Sequence, residues 1–187
     1  AHSSFPVEKK PLLAALKDRS PLVRAAACKA AQAYFPSAVE LHESGHPRSE
    51  WIPMLASPDR RDLVFALVDL LDDPSLSVRI QAAKSLGRLP SPYRNDLLNG
   101  DQRAKWDRAI DEWKQSLELL NDRAGAHATL AIFYEQQEKW DDARAAYETA
   151  IRVEPRAVGP RSNLSILLER VAEDLNLPVQ QRRFELK

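Results

Sequence analysis

The chain has 187 residues, 44% of them apolar and 29% charged, and its 27 basic side chains are balanced by 27 acidic ones. Such a composition supports a folded core, and zero net charge spread evenly over both halves argues against a partner held through phosphates, so no nucleic acid is expected. The single cysteine, Cys28, excludes an internal disulfide, and no apolar run approaches the ~20 residues of a membrane span.

Glycines are few and prolines many, 5 against 13, which suits helices separated by stiff stops. Apolar residues recur at helical spacing almost throughout, so the expected class is all-α. The first stretch, "AHSSFPVEKKPLL", has no initiator Met and no signal-peptide pattern, and reads as a processed end or a cut from a longer chain.

Residues 12–31, "LLAALKDRSPLVRAAACKAA", superpose on residues 67–86, "LVDLLDDPSLSVRIQAAKSL", at an offset of 55. Leu16 meets Leu71, Asp18 meets Asp73 and Val23-Arg24 meets Val78-Arg79. Each segment reads as a helix, a short turn with Asp and Pro or Ser, and a second helix opening with Val-Arg. The Asp or Ser is expected to cap that helix, and runs of alanine let the two helices approach closely. Cys28, within "AAACKAA", reads as a core thiol. The pair resembles HEAT repeats. In that family the turn Asp and the following Arg form ladders between repeats, which implies that Asp18, Arg24, Asp73 and Arg79 belong to the scaffold.

An offset of 55 exceeds the usual HEAT period of ~40–47, so an inserted loop is expected at about residues 37–57. Inside it lies "HESGH", residues 42–46, which fits His-Glu-x-x-His. On a helix that pattern presents two imidazoles to zinc with a carboxylate as general base. Here Gly45 precedes His46 and Pro47 follows it, and both interrupt a helix, while no third-ligand signature comes after. An exposed connection is therefore expected. The alternatives are metal binding by His42 and His46, with Glu43 or Glu50 as oxygen ligand, and a zinc metallohydrolase. Trp51 reads as packing the insert down or as an exposed anchor for a partner.

Residues 105–117, "KWDRAIDEWKQSL", align with residues 139–151, "KWDDARAAYETAI", at an offset of 34, the tetratricopeptide period. Residues 124–155, "AGAHATLAIFYEQQEKWDDARAAYETAIRVEP", resemble one full tetratricopeptide (TPR) repeat. Small Ala131, Ala143 and Ala150 let two helices touch, Tyr134 and Tyr147 fill the gaps, and Pro155 stops the second helix. Partial repeats flank it. Before it, "PSPYRNDLLNG" makes a poor first helix, and the HEAT-like helix near residues 75–88 is expected to pack there instead. After it, residues 158–176 supply a first helix. The expected organisation is HEAT-like repeats over residues 1–92 and TPR-like repeats over 93–187, together an α-α superhelix of helical hairpins.

Nothing in the chain resembles a phosphate loop, a nucleophile elbow or a Cys-x-x-Cys-His haem attachment, so no catalytic residue and no cofactor is assigned. TPR repeats bind peptides on the inner face of each first helix. By resemblance that face offers Ala128, Thr129, Ile132, Glu135 and Gln136, then Arg161, Ser162, Asn163 and Ile166. HEAT-like hairpins running directly into TPR hairpins look like the C-terminal repeat region of bacterial multihaem cytochromes c. That resemblance implies a periplasmic or extracellular setting and a module that packs on haem domains or docks a partner, with haem only in a missing or partner segment. The expected function is a non-catalytic protein-interaction scaffold, with the cytochrome module as the alternative.

Overall fold

A computed structural model describes residues 8–45 and 48–174, and every regular element among them is helical, as expected. The chain divides into two compact units, Ala1–Lys114 and Gln115–Lys187.

The first unit contains α1 (Lys9–Ala15), α2 (Pro21–Ala31), α3 (Ala38–Glu43), α4 (Arg48–Leu55), α5 (Pro58–Asp69), α6 (Leu76–Gly87), α7 (Ser91–Leu97) and most of α8 (Gly100–Glu118). The superposed segments form the hairpins α1–α2 and α5–α6, which bury equivalent residues: Leu12, Leu16, Ala27 and Ala31 in one, Leu67, Leu71, Ala82 and Leu86 in the other. Their turns are built alike. Asp18 Oδ1 accepts the Ser20 N–H at 2.8 Å, and Asp73 Oδ1 accepts the Ser75 N–H at 2.9 Å. Ser20 and Ser75 occupy the N-cap positions without making a side-chain cap. The expected cap is thus replaced by an aspartate turn that starts two residues earlier, a bond that Asp side chains make readily two residues along their own backbone. Between the hairpins, the buried Ser85 hydroxyl donates to the Cys28 carbonyl at 2.7 Å. Burial pushes the Cys28 thiol up to about 12.

The segment expected as a loop holds two short helices, α3 and α4. Ser37 and Glu40 explain α3: the Glu40 carboxylate accepts the Ser37 N–H at 2.7 Å, and the Ser37 hydroxyl accepts the Glu40 N–H at 3.3 Å. This reciprocal box satisfies two backbone donors that a helix start leaves open. Burial raises the Glu40 carboxyl, but the Ser37 N–H and the Arg88 guanidinium outweigh it and hold it below its ordinary value. Leu41, Trp51 and Leu55 are buried, so the insert is pinned to the unit and Trp51 is a packing residue. Arg60 and Arg88 donate to the carbonyls of Tyr34 and Phe35, and the Tyr93 hydroxyl donates to the Leu55 carbonyl.

"PSPYRNDLLNG" contains the short helix α7, with a proline in its first turn, where no intrahelical donor is lost. Asn99 and Gln102 then start α8 through a second reciprocal pair of bonds, at 3.1 and 2.9 Å. Helix α8 packs on α6: Trp106 Nε1 donates to the Ala83 carbonyl at 2.8 Å, and the Lys84 ammonium stands 4.7 Å from the Trp113 ring centre. Burial lowers Lys84, as does nearby Lys29. Arg94 is buried over the Trp106 ring at 4.3 Å, and that burial takes it down to about 10.

The second unit contains α9 (Ala124–Gln136), α10 (Trp140–Val153) and α11 (Val158–Asp174). Ala131, Ala143, Ala146, Tyr147 and Leu167 form its buried cluster, against which Ala128, Tyr134, Trp140, Leu164 and Val171 pack. The α9–α10 turn passes through Glu138 at φ 57, a left-handed conformation. His127 Nε2 lies 2.8 Å from the Asn121 carbonyl.

Candidate functional site

Two surfaces follow from these elements: an arginine–carboxylate ladder in the first unit and the exposed side chains of α9 and α11 in the second. The ladder starts from the turn geometry. Arg24, six residues after Asp18, donates Nη1 to the Asp18 carbonyl at 2.8 Å and to the Arg19 carbonyl at 3.0 Å. Its Nε and Nη2 reach the two Asp73 oxygens at 2.7 and 2.9 Å. Arg79 repeats this 55 positions later. Its Nη1 donates to the Asp73 carbonyl at 2.8 Å and the Pro74 carbonyl at 3.3 Å, while Nε and Nη2 take the Glu112 carboxylate at 3.0 and 2.9 Å. Paired two-point bonds of this kind fix orientation as well as charge.

Burial raises the Asp73 carboxyl, but Arg24 and the Ser75 N–H outweigh it and hold it below its ordinary value. Asp72, beside it, pairs with Lys105 at 2.6 Å. An open cavity of about 240 Å³ lies where α8 meets this turn, lined by Asp72, Arg79, Lys105, Arg108 and Glu112 among others. Most of its charges are already paired with one another, so it offers little net attraction to an ion.

The residues named from the TPR resemblance divide in two. Ala128 packs on the core cluster. Glu135 bonds across the unit: it accepts the Tyr147 hydroxyl from α10, and Arg170 of α11 donates to it at 2.9 Å. Asn163 reaches the same hydroxyl. Burial, then the Glu135 contact, push Tyr147 above its ordinary value. These three side chains join helices to one another. The others face outward: Thr129, Arg161 and Ser162 are exposed, Gln136 is half-buried, and Ile132 and Ile166 are 43% and 51% exposed. Thr129 also bonds back to the Gly125 carbonyl at 2.7 Å. Ile132 and Ile166 stand 34 residues apart.

At "HESGH", helix α3 ends at Glu43 and Gly45 is left-handed at φ 75. The helix needed to carry both imidazoles therefore stops before residue 46. His46 and the His42 side chain lie outside the described residues. Among the described residues, no group of three or more His, Cys, Asp or Glu is placed to hold a metal ion, and no helix is long and apolar enough to cross a membrane.

Sequence reasoning assigned the ladder arginines but missed Glu112 and the Ser37–Glu40 box. The box was readable as Ser-x-x-Glu before an apolar run. Glu112 lies on a mixed polar face of α8, where nothing local distinguishes it.

Comparison with known proteins adds one finding: the HEAT repeat family model matches residues 66–89. That stretch spans the end of α5, the ladder turn and α6. No curated protein and no solved structure matches the chain.

Proposed function

We propose that the chain is a non-catalytic protein-interaction scaffold: HEAT-like hairpins followed by TPR-type hairpins, with a partner segment bound along the exposed residues of the TPR inner face on α9 and α11. The observation that carries this reading is the pair Ile132 and Ile166. Both are bulky and aliphatic, both are about half exposed, and they recur at the 34-residue spacing. Their neighbours Ala131 and Leu167 are fully buried, so the core needs neither isoleucine. Exposed Thr129, Arg161 and Ser162, with half-buried Gln136, supply polar groups around them. A partner with spaced aliphatic side chains and free backbone polar groups matches that chemistry. The resemblance to cytochrome repeat regions adds haem domains to the partner classes worth presenting to this surface.

The test uses peptides selected from a displayed random library against the full chain. Ile132→Asp with Ile166→Asp weakens the selected peptides at least tenfold and lowers the melting temperature by no more than about 4 degrees, because both side chains are about half exposed. Peptides that bind the double variant equally well refute the α9–α11 surface.

A further inference from the structure

The ladder has two ends, and they differ. At the end nearer α8, Arg79 stands where Arg24 stands one repeat earlier, and its two-point partner is Glu112. That end is closed. At the other end, Asp18 stands where Asp73 stands, and it makes the same turn bond to a serine N–H. Asp73 also receives a guanidinium from the preceding hairpin. Asp18 receives none among the described residues: Arg24 points Nε and Nη2 at Asp73 and bonds only to the carbonyl of Asp18, not to its carboxylate.

The helix faces tell the same story. On α6, Val78 and Ser85 are seven residues apart, hence on one side, and both are fully buried. Ser85 bonds to the Cys28 carbonyl, so that side is turned toward α2. The equivalent residues of α2 are Val23 and Ala30. Val23 is 40% exposed where Val78 is 0%, Ala30 is half-buried, and Leu22 beside them is 77% exposed. The surface through which α6 stacks on α2 is thus repeated on α2 itself, with its carboxylate, and among the described residues nothing covers it.

We propose that this face of α2, with Asp18, docks a further HEAT-type hairpin in which an arginine opens the second helix, as Arg24 does, followed by small residues. The internal interface between α2 and α6 is the template for the contact. A second copy of the chain stacked head to tail cannot supply that arginine, because its own terminal ladder arginine, Arg79, is held by Glu112. The occupant is a different hairpin. The surface belongs to the first unit, and its test does not depend on the α9–α11 face.

The probe is the chain's own first repeat. Residues 3–57 are duplicated in tandem, which reproduces the natural 55-residue spacing and places an arginine-bearing hairpin ahead of Asp18. Cys28 is replaced by Ala in both copies, and Val23→Cys in the downstream copy becomes the sole thiol. Docking slows modification of that thiol at least tenfold relative to the undoubled chain. Arg24→Ala in the added copy, or Asp18→Asn in the original, returns most of the rate. Equal rates in doubled and undoubled chains overturn the proposal, as does an added segment that brings no gain in helical circular dichroism. It is equally overturned if the thiol of the undoubled chain becomes protected as its concentration rises, since a second copy would then be the occupant.

Discussion

Arg79 holds Glu112 by the same two nitrogens with which Arg24 holds Asp73, at 3.0 and 2.9 Å against 2.7 and 2.9 Å. The acceptor changes from a turn aspartate to a mid-helix glutamate, and the geometry does not. Helix α8 thereby takes the place of a third hairpin in this ladder.

Asp73 makes acid stability specific. Its carboxyl is held below the ordinary 3.8, so the stabilisation is fully present above that value and is lost as pH falls through the lower folded value. Glu40, also lowered, adds to the same window. Asp73→Asn is expected to melt several degrees lower at neutral pH and to lose less between about pH 5 and pH 2 than the parent does. Parallel melting curves for parent and variant across that range would remove the ladder from the acid response.

The second unit should respond to base. Tyr147 is raised above the ordinary 10.0, so its contribution is complete below that pH and is lost as pH rises through the higher folded value. Tyr147→Phe costs about 1 kcal/mol at neutral pH and flattens the alkaline loss. Arg170→Met is worse, about 3 kcal/mol, because it leaves the nearly buried Glu135 carboxylate without its cation. Urea unfolding followed by circular dichroism orders the two variants.

Cys28 has no exposed surface, and its thiol is pushed up to about 12 by burial. The native chain at pH 8 is therefore expected to react with a disulfide reagent only as fast as it opens, and fully once unfolded in urea. Cys28→Ala should cost no more than about 1.5 kcal/mol, since Ala83 occupies the equivalent place in the other hairpin. Rapid native labelling would show that α2 is not packed as described.

Much of this fold is readable from periodicity. The Leu12, Leu16 and Ala27 positions and their counterparts 55 residues on announce two hairpins, and Ala131, Ala143 and Tyr147 announce a third. The insert was harder, because its helices are short and "HESGHPRSE" is polar; only Ser37 with Glu40 marks the first of them. The TPR resemblance puts Glu135 on a binding face. Its bonds to Tyr147 and Arg170 depend on how α10 and α11 cross, which no single helix encodes. Arg94, a charge buried over Trp106, is invisible for the same reason.

The continuity of the ladder from hairpin to α8 is tested most directly by a double-mutant cycle on Arg79→Ala and Glu112→Ala, measured by urea unfolding. One shared rung gives a coupling of about 1 kcal/mol, the double variant losing less than the two single losses together. Losses that add to within about 0.3 kcal/mol would contradict it.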